Sequence, residues 1–240
     1  MAPSTVSSHL LPALMVTRIL RSCDPMHIFK QMAARYPLPA QMSIAERLAL
    51  IGLLEILRPE CAVELGTASG GSLQVLAQYC GYVYAVDPAF TLPEPPSHSP
   101  FPNVHLIQGD GAAHLPALLI ARQPSFVFID ANHYTEAVKR DIRALTSVAP
   151  TVVQHVLFHD SFNPACRTGI REACWQTDRH TWSVHLDFVP GVFHEREMWG
   201  GFALALRSPT RRKSHRPCDI RADQQQVFDA VYPHSAHYPG

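Results

Sequence analysis

Two pairs of side chains in the second half of the chain have the types and spacing that acid–base or cation chemistry needs: Asp130 with His133, and His159 with Asp160. Each pair follows an apolar run. Ser125-Phe126-Val127-Phe128-Ile129 reads as a strand buried on both faces, and Val152 to Phe158 reads as another. In a doubly wound sheet the ligand crevice lies beyond the carboxyl ends of the strands, so Asp130 and Asp160 would face one cleft. Two carboxylates there repel unless they are protonated, paired or bridged by a cation. Mg²⁺ commonly takes one or two carboxylates and fills its other positions with water and substrate oxygens. An ion held by Asp130 and Asp160 could therefore orient a hydroxyl-bearing acceptor and favour its alkoxide or phenolate. His133 and His159 are candidate general bases, because a neutral imidazole can take the hydroxyl proton. His133 is preferred. The plain structural alternatives are a bond from His133 to a nearby backbone carbonyl and simple burial of His159 at its strand end.

A second chemical feature lies upstream. Cys61 to Leu65 is a short apolar run that stops at Gly66-Thr67-Ala68-Ser69-Gly70-Gly71-Ser72, after which Leu73 to Tyr79 is amphipathic. The pattern predicts strand, tight turn and helix, with unpaired N–H groups at the helix start and Glu64 as an acceptor closing the strand. Such a site suits a nucleotide or a nucleoside-like cofactor. Ala68 stands where a dinucleotide fingerprint has its middle glycine, and its methyl group disfavours close approach of a pyrophosphate. An NAD-dependent oxidoreductase is disfavoured for that reason, and no G-K-[ST] follows to make a Walker loop. Gly81 to Asp87 reads as the next strand, and Asp87 lies where an α/β nucleoside site places an acid for ribose hydroxyls. A strand-end cap is its alternative role.

Glu64-x-Gly66-x-x-x-Gly70, Asp87, and acids at the ends of the third to fifth strands together resemble a class I S-adenosylmethionine (SAM) methyltransferase over about Ser43 to Arg207. Within that class, Phe128-Ile129-Asp130-x-x-His133-Tyr134, Phe158-His159-Asp160 and Gly169-Ile170-Arg171 resemble a broad group of small-molecule and sugar O-methyltransferases that includes cephalosporin-hydroxylase-like proteins. The resemblance implies that Glu64, Gly66, Thr67, Gly70, Ser72, Asp87 and Asp110 hold the cofactor, with Asp110 accepting from the adenine amino group. An Asx-turn cap of the helix from Ala112 is the other role for Asp110. It also implies catalytic roles for His133 and Asp130 and a Mg²⁺ pair of Asp130 and Asp160. Catechol-type relatives have an asparagine directly after the second aspartate. Here that position is Ser161, a poorer ligand. Asp130 could instead orient SAM or substrate directly, with Asp160 capping the next helix. A non-catalytic SAM-binding accessory protein with the same fold is the alternative function.

The elements that must position these groups follow in order. Residues 1–42 read as an N-terminal helical extension, with helices over His9 to Cys23 and from Asp24-Pro25 to about Tyr36. Residues 43–207 read as the methyltransferase-like domain. Ser43-Ile44-Ala45-Glu46 is a capping-box pattern ahead of Leu48, Leu50, Ile51, Leu54 and Leu57. Pro88 to Pro102 is too rich in proline for the expected crossover helix, which leaves a lid or a connector. Asn103 to Gln108 is the third strand. Thr181 to Val189 and Gly200 to Leu206 read as a closing antiparallel pair, giving a doubly wound, mostly parallel sheet of seven strands with SAM-methyltransferase Rossmann-like topology. Residues 208–240 read as a loosely ordered tail.

The chain has 240 residues, 47% of them hydrophobic, and a formal net charge of zero, which argues against a general nucleic-acid binder. Its 14 histidines are scattered without HExxH spacing, and its six cysteines form no CxxC pair. Met1 to Ser8 lacks the basic region of a signal peptide, and no apolar stretch has the length of a membrane span. A cytoplasmic protein acting on a small-molecule or sugar acceptor is the expectation. A homo-oligomer is left open.

Overall fold

The computed structural model describes residues 38, 40–92, 99, 101–194 and 197–232. Both expected N-terminal helices lie outside them. Helix α1 (Ile44–Leu57) starts with the full reciprocal cap: Ser43 Oγ accepts from Glu46 N–H at 3.2 Å, and Glu46 Oε2 accepts from Ser43 N–H at 2.6 Å. It ends where Arg58 turns left-handed at φ 43°. Leu50, Ile51, Leu53 and Leu54 face inward from α1.

Strands β1 (Cys61–Leu65), β2 (Tyr82–Asp87), β3 (Val104–Gln108), β4 (Phe126–Ile129) and β5 (Gln154–His159) are parallel neighbours in the order β5-β4-β1-β2-β3. Side-chain alternation divides them between two cores. Ala62, Phe126 and Phe128 pack on the side of α1 and α2 (Leu73–Tyr79). Val63, Leu65, Val127 and Ile129 pack under α3 (Gly111–Arg122), α4 (Thr135–Thr146) and α5 (Pro164–Arg171). Burial on both faces explains why β4 reads as an unbroken apolar run. Phe128 is wholly buried and meets Phe202 edge to face at 6.0 Å, so truncating it to alanine would cost about 3–5 kcal/mol.

The remaining strands are β6 (Thr181–Val189), β7 (Val192–His194), β8 (Glu197–Trp199), β9 (Phe202–Arg207) and β10 (Asp219–Arg221), and α6 (Gln225–Val231) closes the described chain. Strand β9 runs antiparallel to both β5 and β6, as the closing pair predicts. The sheet nevertheless has eight strands, not seven, in the order β10-β6-β9-β5-β4-β1-β2-β3. The added strand, β10, comes from the segment expected to be a loose tail and pairs parallel to β6. Farther along that segment, Phe228 and Tyr232 are buried against Phe162 and Met198. A three-residue strand is too short for alternation to announce it. The same applies to β7 and β8, which form a separate antiparallel hairpin.

Between β2 and β3 no helix occurs among the described residues. The chain leaving β2 folds back on the glycine-rich turn instead, with Thr91 N–H donating to Ala68 O at 2.9 Å. From β1 the chain steps to β2 and β3 on one side, then returns to β4 and β5 on the other. The crevice of a doubly wound sheet therefore opens at the carboxyl ends of β1 and β4, where Leu65 pairs with Ile129.

Candidate active site

The turn after β1 is built on two left-handed glycines. Gly66 has φ +83°, and a Cβ there would stand 1.9 Å from the carbonyl oxygen of Asp130, so only glycine lets the two strand ends meet. Gly70 has φ +84°, and the space a Cβ would take is occupied by Leu92 and Leu38 side chains. Leu38 is tied down by Gln74, which donates to its carbonyl and accepts from its N–H, both at 2.9 Å. Gly70 thus lies under the protein's own cover.

Glu64 is wholly buried and turned inward, where its carboxyl accepts from Thr67 Oγ1 at 2.7 Å and from Ser72 Oγ. Burial pushes its pKa up to about 8, and the two hydroxyl bonds only partly offset that. Asp87 reaches back to the same turn. Its Oδ2 accepts from the N–H groups of Thr67 and Ala68, each at 2.8 Å, and its Oδ1 accepts from Ala89 N–H at 2.7 Å. Both acids therefore hold the turn's shape in this state. Asp110 caps α3, accepting from Ala113 N–H at 3.0 Å, and pairs with Arg140 at 2.7 Å. That is the helix-cap role anticipated for it.

Two cavities adjoin at the strand tips. One, of about 130 Å³, is lined by Gly66, Thr67, Ala68, Ser69, Gly71 and Ser72 together with Asp130, Ala131 and His133. The other, of about 570 Å³, is lined by Glu46, Asp130, His133, His159, Asp160 and Asn163, with Val192 and Trp199 of the hairpin at its apolar side. Ala40, Gln41, Met42, Asp130 and His133 line both. Of the residues expected at a cofactor, Gly66, Thr67 and Ser72 face the smaller cavity, whereas Glu64, Gly70, Asp87 and Asp110 do not line it.

The expected acids and histidines do come together. His133 Nε2 lies 3.1 Å from Asp160 Oδ2 and 3.6 Å from Asp130 Oδ1. His159 Nδ1 lies 3.1 Å from Asp130 Oδ1 and 3.2 Å from Asp160 Oδ2. Asp160 sits at φ 56°, which turns both His159 and Asp160 toward the cleft. Ser161 follows this bend and is fully buried, and its Oγ has no hydrogen-bond partner among the described residues. The group beside Asp160 in the cleft is His159, not Ser161. Burial opposes charge on Asp130, yet the His159 and His133 imidazoles outweigh it and lower its pKa. For His159, burial again opposes the cation, and the Asp130, Asp160 and Glu46 carboxylates raise its pKa strongly. The nearby Asp130 carboxylate raises the pKa of His133, against the opposing effect of burial.

Glu46 is the cleft residue that sequence reasoning missed. It is 1% exposed, and its Oε1 lies 3.0 Å from His159 Nε2 while also accepting from Gly201 N–H. Gly200 N–H donates to Asp160 Oδ1 at 3.1 Å. The capping-box spacing gave Glu46 a role at the helix start, and nothing in the sequence linked it to a residue 113 positions away.

The donor set fits a divalent cation: two carboxylate oxygens and an imidazole nitrogen within 4.8 Å of one another, beside an open cavity. No helix among the described residues is long and apolar enough to cross a membrane.

Residues 63–161 match a family model described as a methyltransferase domain. No curated protein matches the chain. Among solved structures, cofactor-bound Rv0187 from MTB is 18% identical with a TM-score of 0.52, covering 81% of this chain and 97% of its own. An O-methyltransferase from Bacillus cereus in complex with SAH is 15% identical with a TM-score of 0.51, covering 81% of this chain and 90% of its own. The eight-stranded mixed sheet, the glycine-rich turn at its switch point and the matched segment agree: the chain has the class I SAM-dependent methyltransferase fold, and its residues 63–161 are similar to a methyltransferase domain.

Proposed function

We propose that this enzyme transfers the methyl group of SAM to an oxygen of a small molecule or sugar, assisted by a divalent cation. One observation carries the reading: His133 and Asp130 line both the cavity at the glycine-rich turn and the larger cavity over the carboxylate–imidazole cluster. A donor in the first and a hydroxyl in the second would meet at these two residues. Methyl transfer depends mainly on aligning the acceptor oxygen with the sulfonium methyl, and adjoining cavities provide that alignment.

His133 is the residue placed to take the hydroxyl proton. Its side chain is 53% exposed, and Nε2 is oriented by Asp160 and Asp130. Asp130 keeps that imidazole in place and, as an anion, favours the imidazolium formed when the proton arrives. Thr67 and Ser72 present their backbone and side chains at the donor end, with Glu64 and Asp87 fixing the turn behind them. Asp130 and Asp160 would hold the cation, for which the sequence expectation is Mg²⁺, and it would act as a Lewis acid toward the acceptor oxygen.

Calorimetry with SAM and S-adenosylhomocysteine, followed by labelled methyl transfer to a panel of phenols and sugars, tests the reading. Binding of neither compound would end it. Binding without turnover on any acceptor would favour the SAM-binding accessory protein instead.

A further inference from the structure

The β7–β8 hairpin has two apolar faces with different neighbours. Val192 pairs with Trp199, and cross-strand partners lie on one face. Both side chains line the 570 Å³ cavity, and they are 50% and 48% exposed. Alternation sends Met198 the other way, where it is buried against Phe162, Phe228 and Tyr232. A two-stranded hairpin this short is marginal by itself, so its position depends on what it leans on.

Tyr232, the residue that ends α6, holds the hairpin by its backbone. Its hydroxyl donates to Met198 O at 3.0 Å and accepts from Met198 N–H. One phenol group thus takes both backbone groups of a single residue, as a neighbouring strand would in an antiparallel pair. The start of α6 is anchored in turn. Arg167 of α5 is 1% exposed, donates to Asp187 Oδ1 at 2.7 Å and to Gln225 Oε1 at 3.1 Å, and lies over the Phe228 ring at 4.8 Å. Asp187 Oδ2 accepts from Gln224 N–H at 2.8 Å. The hairpin's other support is close contact with Phe162: a Cβ on Gly191 would stand 2.3 Å from Trp199 O and 2.8 Å from Phe162 Cβ.

We propose that Tyr232 is a positioning residue for the acceptor: through Met198 it fixes the hairpin whose Val192 and Trp199 form the wall on which a flat apolar face of the acceptor seats. This rests on the reading that the acceptor hydroxyl occupies the larger cavity, and it adds the acceptor's shape and the element that selects it. Two large apolar side chains left half exposed in a cavity that Glu46, Asp130 and Asp160 also line gain from being covered by such a face, whereas a wholly polar acceptor would leave that area uncompensated.

The test uses the full chain and whichever phenol or sugar of the panel is methylated fastest. Trp199→Ala and Tyr232→Phe should each raise its KM at least about fivefold with kcat within about twofold, which marks lost binding of the acceptor and not lost chemistry. S-adenosylhomocysteine should bind both variants as it binds the parent protein. Phenylalanine keeps the buried ring, so Tyr232→Phe removes only the hydroxyl, and the Met198 amide should then exchange its hydrogen at least about tenfold faster by NMR. Ile142→Val, a small loss inside the core under α4, controls for lowered stability and should keep the parent KM. A parent-like KM in Trp199→Ala or Tyr232→Phe, with turnover intact, would overturn the proposal and leave methyl transfer standing. A Met198 amide that exchanges at the parent rate in Tyr232→Phe would overturn it as well, and so would an equal rise of KM in Ile142→Val. Turnover absent from the whole panel would strike methyl transfer itself and the acceptor wall with it.

Discussion

The backbone N–H of Thr67 donates to Asp87 Oδ2 at 2.8 Å, joining the turn after β1 to the tip of β2 across 20 residues. Ala68 N–H donates to the same oxygen, and Ala68 holds φ 45°. The Asp87 carboxylate therefore sets the backbone of the turn. An ionised carboxylate has about four lone-pair sites, so three N–H bonds leave it capacity for a ribose hydroxyl.

Asp87→Ala is expected to strand the N–H groups of Thr67, Ala68 and Ala89 and to cost about 3 kcal/mol in urea unfolding. With the turn released, S-adenosylhomocysteine should bind at least about tenfold more weakly by calorimetry. Asp87→Asn keeps one acceptor oxygen and should recover part of both losses. Parent-like stability and affinity in Asp87→Ala would count against a turn set by this carboxylate.

Glu64 makes stability depend on pH in the sense opposite to a salt-bridged acid. Its folded pKa of about 8 lies above the ordinary 4.5, so the folded chain binds more protons than the unfolded one between those values. Stability supported by the neutral carboxyl is fully present below pH 4.5 and is lost as pH rises through 8, by at most about 1.4 kcal/mol per pH unit. Glu64→Gln, a neutral mimic that can still bond Thr67 and Ser72, should flatten that decline. Thermal unfolding of both proteins from pH 6 to 9 measures it, and parallel curves would refute the shifted carboxyl.

The parts legible in the sequence are those where a local pattern and the fold ask for the same thing. β1, β2, β4 and β5 are largely buried apolar runs ended by polar groups, and Ser43 with Glu46 forms the cap its spacing announces. Asp110 is equally local, accepting from a backbone group three residues on. What stayed hidden depends on distance or on one dihedral. The Glu46–His159 contact joins α1 to β5, and the φ of 56° at Asp160 breaks strand alternation, so His159 and Asp160 share the cleft while Ser161 is buried. Three-residue strands such as β10 carry no period to read.

His133 should govern the pH dependence of turnover. Its imidazole must be neutral to accept a proton, and the neighbouring Asp130 and Asp160 carboxylates raise its pKa above the ordinary 6.5 in the cation-free chain. The acid limb of kcat should therefore mark loss of that proton, with activity rising as pH passes through the His133 pKa, and a cation on Asp130 and Asp160 should shift the limb to lower pH. His133→Gln should lower kcat about 10²–10⁴-fold and remove the limb, while leaving S-adenosylhomocysteine affinity within about threefold. An unchanged limb in the variant would assign the titration to another group.

Gly200 tests whether the cluster tolerates any change in its support. It has φ +68°, and a Cβ would stand 2.4 Å from Glu46 Oε1, the atom paired with His159. Gly200→Ala combines left-handed strain of about 1–2 kcal/mol with displacement of a buried carboxylate that has little room to move. A total loss of about 3 kcal/mol in urea unfolding is expected. The comparison is Gly109→Ala, whose Cβ would meet the His114 ring. If Gly200→Ala loses no more stability than Gly109→Ala, the contact between Gly200 and Glu46 has no part in holding the cluster.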